Sequence, residues 1–431
     1  MVRARPLPYP GEVRVVCLLV VAVAGCGFDV AASKSDGGTD GVIDPDAEPD
    51  APDAPAICQA WHPRHFDPCA IGTPKPGLHL TVAGSPYTYD TTQLGGTLHD
   101  NTMAAILQSN VISMQSDGSM IAILSVDAFA EDPNVTLTVT GDKPLLIASW
   151  DTITIGGTID AGSVTAEVNN TANAHIDGPR RTGAGANPTG HCTGMTGTAG
   201  GPAVTSGGSG GGGGGANHGN GGGGTTGDTT FQPGGPGGMH VAMAPAVVRG
   251  GCAGGASGNA ATSTGLQPPA TSASVSVGGA GGGAIELAAM TSITVTGTIS
   301  AGGAGGAGAP QGSAVGGGGG GSGGYVGLDA AVLTVAGGTL GANGGGGGSA
   351  ACYAGEGNQG SNALGAAQAL GGPPGTLPGA PGSVGANLNG VTATGADGCG
   401  GGGGGGGAGF ILVWSPAFTG PGAMISPPIG G

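Results

Sequence analysis

"LLIASWDTITIGGTIDAG", residues 145–162, has a close relative in "IELAAMTSITVTGTISAG" at 285–302. The two stretches align without a gap, and their apolar positions keep the same phase. A third copy, "VGLDAAVLTVAGGTLGANG" at 326–344, aligns with one deletion and one insertion, and "GFILVW" at 409–414 is a partial fourth copy. The matched positions include Ile147/Leu287, Ile153/Ile293, Ile155/Val295, Thr158/Thr298 and Ile159/Ile299.

Each copy contains two short stretches in which apolar residues alternate with Thr or other small residues, which is typical of β-strands. One copy cannot bury its apolar face alone, but stacked copies would share a continuous column of Ile, Leu and Val. The repeat therefore predicts an all-β solenoid in which the copies are neighbours.

Strands are expected at 120–126 and 135–140, before the first repeat, and at 144–149 and 152–155, within it. The piece "NTMAAILQS" at 101–109 is the one place where we expect a short helix. Long helices are disfavoured elsewhere, because each Gly costs about 1 kcal/mol relative to Ala inside a helix.

Glycine is the second signal: 103 of the 431 residues are Gly, where about 7% is usual. Tracts such as 207–215, 316–321 and 400–407 carry almost no side chains. They fit either flexible loops or polyproline II rods packed side by side. Ordering Gly costs about 0.5–1 kcal/mol more than ordering Ala, so without an external constraint flexible loops are favoured.

Cysteines supply such a constraint. Apart from Cys17 and Cys26, six remain, and six cysteines allow 15 pairings. Their placement favours one disulfide in each of three segments, and each could contribute roughly 3–4 kcal/mol. The glycine tracts are therefore expected to be stapled, partly ordered loops. The three pairs would be Cys58–Cys69, Cys192–Cys252 and Cys352–Cys399.

The N-terminus has the pattern of an export signal. Arginines precede the apolar run "VVCLLVVAVA" at 15–24, which is too short for a membrane-spanning helix of roughly 20 residues. The run ends in "VAGC" at 23–26, which resembles the lipobox of bacterial lipoproteins. That resemblance implies lipidation of Cys26 after cleavage. Because Gly27, not Asp, follows the cysteine, it also implies sorting to the outer membrane.

Residues 29–56 form an acidic segment with eight acids, four prolines and no aromatic residue. Such a composition cannot bury enough apolar surface to fold, so it predicts a disordered tether. The tether accounts for much of the net charge of −16. The scarcity of basic residues argues against a nucleic-acid partner, which would require basic patches.

As a whole, the chain resembles uncharacterised glycine-rich surface lipoproteins of the myxobacterial type. Its repeats are similar to those of right-handed parallel β-helix proteins, which implies a right-handed β-helix-like solenoid with long glycine-rich loops. The expected organisation is a signal peptide at 1–25, an acidic linker at 26–57, a cysteine-rich and aromatic segment with the first strands at 58–130, and the repeat domain at 131–431.

Catalytic chemistry has few candidate residues. Beyond residue 182 the only acids are Asp228, Glu286, Asp329, Glu356 and Asp397, and the only base besides histidine is Arg249. Glycan cleavage needs converging carboxylates or an acid–base cluster, so such a site is expected before residue 182. The candidates there are Asp90, Asp127, Asp142, Lys143, Asp151 and Asp160.

The spacing Cys58, His62, His65, Cys69 also matches a zinc ligand set. In an exported chain a disulfide between the two cysteines is the favoured interpretation. Because the candidate catalytic residues are few and the two cysteines are expected to form a disulfide, we expect no metal, no cofactor and no enzymatic activity. The leading function is a lipid-anchored cell-surface protein with a structural or adhesive role. The alternative is a carbohydrate-binding or polysaccharide-degrading β-helix with its site among the acids before residue 182.

Overall fold

The computed structural model describes residues 56–92, 96–108, 111–165, 181–203, 208–227, 232–241, 243–259, 275–310, 314–351, 356–373, 377–395 and 400–430, all of them within the compact unit Ala54–Gly431. The signal peptide, most of the acidic linker, and Cys26, Cys352 and Cys399 lie outside the described residues.

The described chain is nearly all β. One short helix, α1 (Ala56–Ala60), and two 3-10 turns (Pro68–Ala70 and Val82–Gly84) accompany the strands. The strands are β1 Leu78–Leu80, β2 Tyr87–Asp90, β3 Thr97–His99, β4 Ala105–Gln108, β5 Val111–Met114, β6 Met120–Val126, β7 Phe129–Glu131, β8 Thr136–Thr140, β9 Leu145–Ser149, β10 Thr152–Ile155, β11 Thr158–Asp160, β12 Ala284–Val295, β13 Thr298–Ser300, β14 Tyr325–Val335, β15 Thr339–Gly341, β16 Phe410–Trp414, β17 Ala417–Thr419 and β18 Met424–Ser426.

These strands form two curled, mostly parallel sheets. Sheet I runs β1-β7-β10-β12-β9-β6-β5, with β14 beside β12 and both β16 and β17 beside β14. Sheet II runs β18-β15-β13-β11-β8-β2-β3-β4. Antiparallel pairing is confined to the β2–β3, β3–β4 and β5–β6 pairs among these named strands.

The predicted adjacency of the repeat copies is confirmed, with the register that the alignment gives. In sheet I, Ile293 lies between Ile153 and Leu333. In sheet II, Ile299 lies between Ile159 and Leu340. The partial fourth copy, as β16, pairs with β14.

The core lies between the two sheets, where the alternating apolar side chains of both meet. Ile153, Ile293 and Leu333 from sheet I and Ile159 and Ile299 from sheet II are fully buried there. Strand β9 is buried on both faces. Its outer side packs against a second cluster that includes Trp61 and Ile71 of the N-terminal cysteine-rich segment.

The helix expected at 101–109 is wrong for its described part. Residues Ala105–Gln108 form β4, which pairs antiparallel with β3. Leu107 lies opposite Leu98, whose side chain is buried in the core. A cross-strand apolar contact of this kind outweighs the weak helix preference of a short segment.

In their described parts the glycine tracts are rods packed against one another, which is more ordered than the expected stapled, partly ordered loops. The backbone N–H groups of residues 210–215 donate to neighbouring tracts with a period of three, which is the period of a polyproline II helix. Successive donors reach three different tracts: Gly210 and Gly213 donate to Gly201 and Thr198, Gly211 and Gly214 to Thr225 and Gly222, and Gly212 and Gly215 to Gly317 and Gly320.

Absence of side chains is what allows this packing. An added Cβ at Gly211, Gly212 or Gly213 would overlap the carbonyl of a different neighbouring tract in each case. The rods are therefore closely packed on all three faces. Hydrogen bonds between the rods, each with a net contribution of about 0.5–1.5 kcal/mol, offset the entropic cost of ordering the glycines.

Candidate functional site

Two of the three predicted disulfides lie in the described residues, and both are present. Cys58 is bonded to Cys69, with their Cα atoms 5.2 Å apart. Cys192 is bonded to Cys252, with their Cα atoms 5.5 Å apart. The second bridge closes a separation of 60 residues and joins two glycine-rich tracts. Cys58 and Cys69 therefore do not serve as zinc ligands.

Four of the six candidate residues for a glycan-cleaving site, Asp90, Asp142, Lys143 and Asp160, make local side-chain contacts. Asp142 forms an ion pair with Lys143 at 2.7 Å. Asp160 forms an ion pair with Arg181. Asp90 accepts a hydrogen bond from the backbone N–H of Thr92.

Asp127 and Asp151 are exposed. The backbone carbonyl of Asp151 accepts a hydrogen bond from the N–H of Thr291 at 2.9 Å, which links Asp151 to sheet I. No ion pair or hydrogen bond joins any two of the six candidate side chains among the described residues except the one between Asp142 and Lys143.

Two later acids do converge, on the outer side of sheet I. Glu286 of β12 and Asp329 of β14 meet Arg64 and His65 from the cysteine-rich segment. Together with Tyr325 and Trp414 these four residues form what we call the His65–Glu286 cluster. Glu286 and Asp329 are 43 residues apart in sequence, but they lie on adjacent parallel strands.

Hydrogen bonds hold the cluster together. The Nδ1 atom of His65 lies 2.7 Å from Oε2 of Glu286. The hydroxyl of Tyr325 donates to the same oxygen at 3.2 Å. The backbone N–H of Arg64 donates to Oδ2 of Asp329 at 2.9 Å. Aromatic contacts complete it, because the Arg64 guanidinium lies 5.3 Å from the Trp414 ring centroid and the His65 ring lies 5.2 Å from the same ring.

A missing side chain makes room for these groups. Gly327 of β14 lies beside Glu286 in the register. A Cβ at Gly327 would come within 2.8 Å of the Tyr325 ring and 3.0 Å of the Glu286 carboxylate. Glycine at this position therefore lets the tyrosine hydroxyl and the carboxylate share one site.

Burial dominates the electrostatics. The side chain of His65 is 5% exposed and that of Glu286 is fully buried. Burial, and secondarily the neighbouring Glu286, raises the pKa of Tyr325 well above its ordinary value. Burial also raises the pKa of Asp329, against the opposing effect of the Arg64 N–H. Both groups are therefore poised to stay protonated more readily than in water.

The arrangement suits attachment better than catalysis. A histidine oriented through Nδ1 by a carboxylate is typical of general bases, which act through Nε2. Here Nε2 of His65 is buried, with no hydrogen-bond partner among the described residues. A substrate could reach it only if the cysteine-rich segment lifted off the sheet. The cluster instead fastens that segment to sheet I.

A further buried acid, Glu131, lies inside the apolar column. In sheet I it is aligned with Leu80 and Ile155, and it is 2% exposed. Burial raises the pKa of its carboxyl from 4.5 to about 8. The backbone N–H of Thr158 lowers this pKa, against the larger effect of burial.

The raised pKa of Glu131 has a defined consequence for stability. Between about pH 4.5 and pH 8 the folded chain holds a proton that the unfolded chain releases. This group therefore favours the folded state most below pH 4.5. Its contribution falls as the pH rises, and it levels off above about pH 8.

The sequence alone did not single out Glu131 or Glu286 as buried acids, since a lone acid in a glycine-rich chain gives no local signal. The only usable clue was at Glu131, where a charged residue follows "AFA" at an apolar phase of a strand.

No protein-family model matches the chain, and comparison with curated proteins and with solved structures found no match either. The described part of the chain has no helix with the length and apolar character needed to cross a bilayer. It also contains no group of three or more His, Cys, Asp or Glu side chains placed to hold a metal ion.

Proposed function

We propose that this protein is a non-catalytic, lipid-anchored cell-surface scaffold with a structural or adhesive role, and that its sheets form a right-handed β-helix-like solenoid. The observation that carries the proposal is the ordered packing of the glycine rods. Backbone that is hydrogen-bonded on three faces and has almost no side chains gives proteases few flexible sites to enter. Such a construction suits a protein displayed outside the cell.

The disulfide pattern supports the same compartment. The Cys192–Cys252 and Cys58–Cys69 bridges require an oxidising environment to persist. The lipobox-like "VAGC" at 23–26 supplies the anchor, and the acidic tether supplies the spacing from the membrane. The scattered early acids and the buried position of His65 Nε2 favour a non-catalytic role over polysaccharide cleavage.

The test is to express the full chain in a Gram-negative host supplied with an alkyne-labelled fatty acid. Wild type should carry the label, fractionate with the outer membrane and be released from intact cells by added protease, which would cut the acidic tether at 29–56. The Cys26→Ser variant should lose the label and the membrane association, while the Cys17→Ser variant serves as the matched control and should keep both. Unlabelled wild type, or loss of label in both variants, would refute the proposed lipid anchor at Cys26.

The non-catalytic part has its own test. Purified chain incubated with a panel of plant and bacterial polysaccharides should release no reducing ends. Release that disappears in an Asp160→Asn or Asp151→Asn variant would establish the polysaccharide-degrading alternative instead.

A further inference from the structure

A groove of about 560 Å³ lies where several glycine rods first acquire side chains. On one side are residues of the segment "NHGN" at 217–220, and on the other residues of "ANLN" at 386–389. His240 and Gln368 extend the walls.

The lining combines polar and apolar groups, and its described residues include no Lys, Arg, Asp or Glu side chain. Its hydrogen-bonding groups are four amides and two imidazoles, with Leu388 and Val391 as apolar surface. Burial lowers the pKa of His218, which keeps this ring neutral near pH 7. The groove therefore offers both donors and acceptors without net charge.

Part of this capacity is used to fix the walls. Oδ1 of Asn220 accepts from the backbone N–H and from Nδ1 of His240, both at 2.8 Å. Oδ1 of Asn389 accepts from the N–H of Asn220 at 2.9 Å. These bonds fix the side chains of Asn220 and Asn389 in the walls of the groove.

The backbone beneath the groove is rigid. The N–H of Gly390 donates to the carbonyl of Asn220, and that of Ala408 donates to Leu388. A side chain at Gly219 would overlap the carbonyl of Leu388. The His218 ring stacks on Phe410, with centroids 4.4 Å apart and planes 13° apart. The polar groups are thus held in place before any ligand arrives, which reduces the entropic cost of binding.

We propose that this groove binds a neutral oligosaccharide. Sugar hydroxyls both donate and accept hydrogen bonds, which matches walls made of amides and imidazoles. An anionic or cationic ligand would find no opposite charge here. A peptide would leave most of the amide groups unmatched, since it offers one donor and one acceptor per residue and otherwise relies on apolar side-chain pockets. The inference rests on the proposed surface location, because that location is what brings the groove into contact with extracellular glycans.

Binding is tested on the purified full chain by isothermal titration with cellotetraose, maltotetraose and chitotetraose, and with tetra-alanine as the peptide probe. At least one of the three oligosaccharides should bind. The Asn387→Ala and Gln368→Ala double variant should weaken that binding at least tenfold. Ala386→Trp, which fills the groove from an exposed position, should abolish it. Gln59→Ala, an exposed amide far along the chain, is the matched control and should leave affinity unchanged.

Circular dichroism and thermal unfolding establish that each variant is folded before titration. Binding of none of the three oligosaccharides, binding that survives Ala386→Trp, or binding of tetra-alanine alone would overturn the proposal. Each of these results leaves the labelling and fractionation of the anchored protein unaffected, so the two proposals fail separately.

Discussion

Three consecutive glycines, Gly222, Gly223 and Gly224, allow the rod packing to be tested within one tract. A Cβ at Gly222 would overlap the carbonyl of Val391, and a Cβ at Gly224 would overlap the carbonyl of Gly211. At Gly223 the nearest atom to an added Cβ is Cγ2 of Thr392 at 3.6 Å, which is an ordinary contact. None of the three has a positive φ angle. Alanine at these positions therefore differs only in what the methyl group meets.

The magnitude follows from the hydrogen bonds that a methyl group at Gly222 would disturb. Relieving the overlap moves the tract away from Val391. This weakens the bonds from Gly222 N–H to Gly405, from Gly405 N–H to Val391, and from Gly214 N–H to Gly222, which are 2.8, 3.0 and 2.8 Å long. Losing a buried hydrogen bond costs about 1–3 kcal/mol. Because the three bonds are weakened and not all lost, at about 1–2 kcal/mol each, we expect Gly222→Ala to reduce the free energy of unfolding by about 3–6 kcal/mol. Gly224→Ala should reduce it by less, because its overlap with the neighbouring carbonyl is less severe.

Gly223→Ala should do the opposite. It removes conformational freedom from the unfolded chain without a clash, which stabilises a protein by about 0.4–1 kcal/mol. Urea unfolding followed by far-ultraviolet circular dichroism measures all three variants against wild type. If Gly222→Ala is as stable as Gly223→Ala, the tract is not packed against its neighbours and the account of the rods is refuted.

Three other changes probe the disulfide and the buried acids. Replacing both Cys192 and Cys252 by Ser should cost about 4 kcal/mol of unfolding free energy for a loop of this size, and an unchanged urea midpoint would contradict it. In wild type the free energy of unfolding should fall by about 1.4 kcal/mol per pH unit between pH 4.5 and 8 because of Glu131, and Glu131→Gln should remove this fall. Urea unfolding at pH 5 and pH 8 measures it, and an equal pH dependence in both proteins would count against a buried, protonated Glu131. His65→Ala removes one of the two groups that hydrogen-bond Oε2 of Glu286 and should cost about 1–3 kcal/mol. Thermal unfolding checks this, and a melting temperature equal to that of wild type would show that the cluster does not fasten the cysteine-rich segment.

Much of the strand arrangement was predictable because it follows from the repeated spacing of apolar residues along the chain. The spacing of Ile153 and Ile159 recurs at Ile293 and Ile299, and parallel strands with the same apolar phase pair in the register that buries them together. The two described disulfides were predictable from cysteine placement and compartment. The strand at Ala105–Gln108 was not predictable in this way, because its pairing with β3 depends on where Leu98 is buried.

The candidate sites were largely invisible to sequence reasoning. Glu286 and Asp329 come from different repeat copies, and only the pairing of β12 with β14 brings them to the same histidine-bearing segment. The groove joins residues about 170 positions apart, such as Asn220 and Asn389. Neither convergence leaves a trace in residue spacing, because both are made by long-range packing.

The sequence by itself determined that this chain is all-β, that its repeats are neighbours, and how its described cysteines pair. Strands with the same apolar phase pair in the register that buries their apolar side chains together, and the six cysteines fall as one pair in each of three segments, so these features follow from local order. Tertiary structure alone decided the state of the glycine tracts. Glycine has no side chain to favour one conformation. The conformation of a glycine tract is therefore fixed by whether other tracts lie close enough to exchange backbone hydrogen bonds with it.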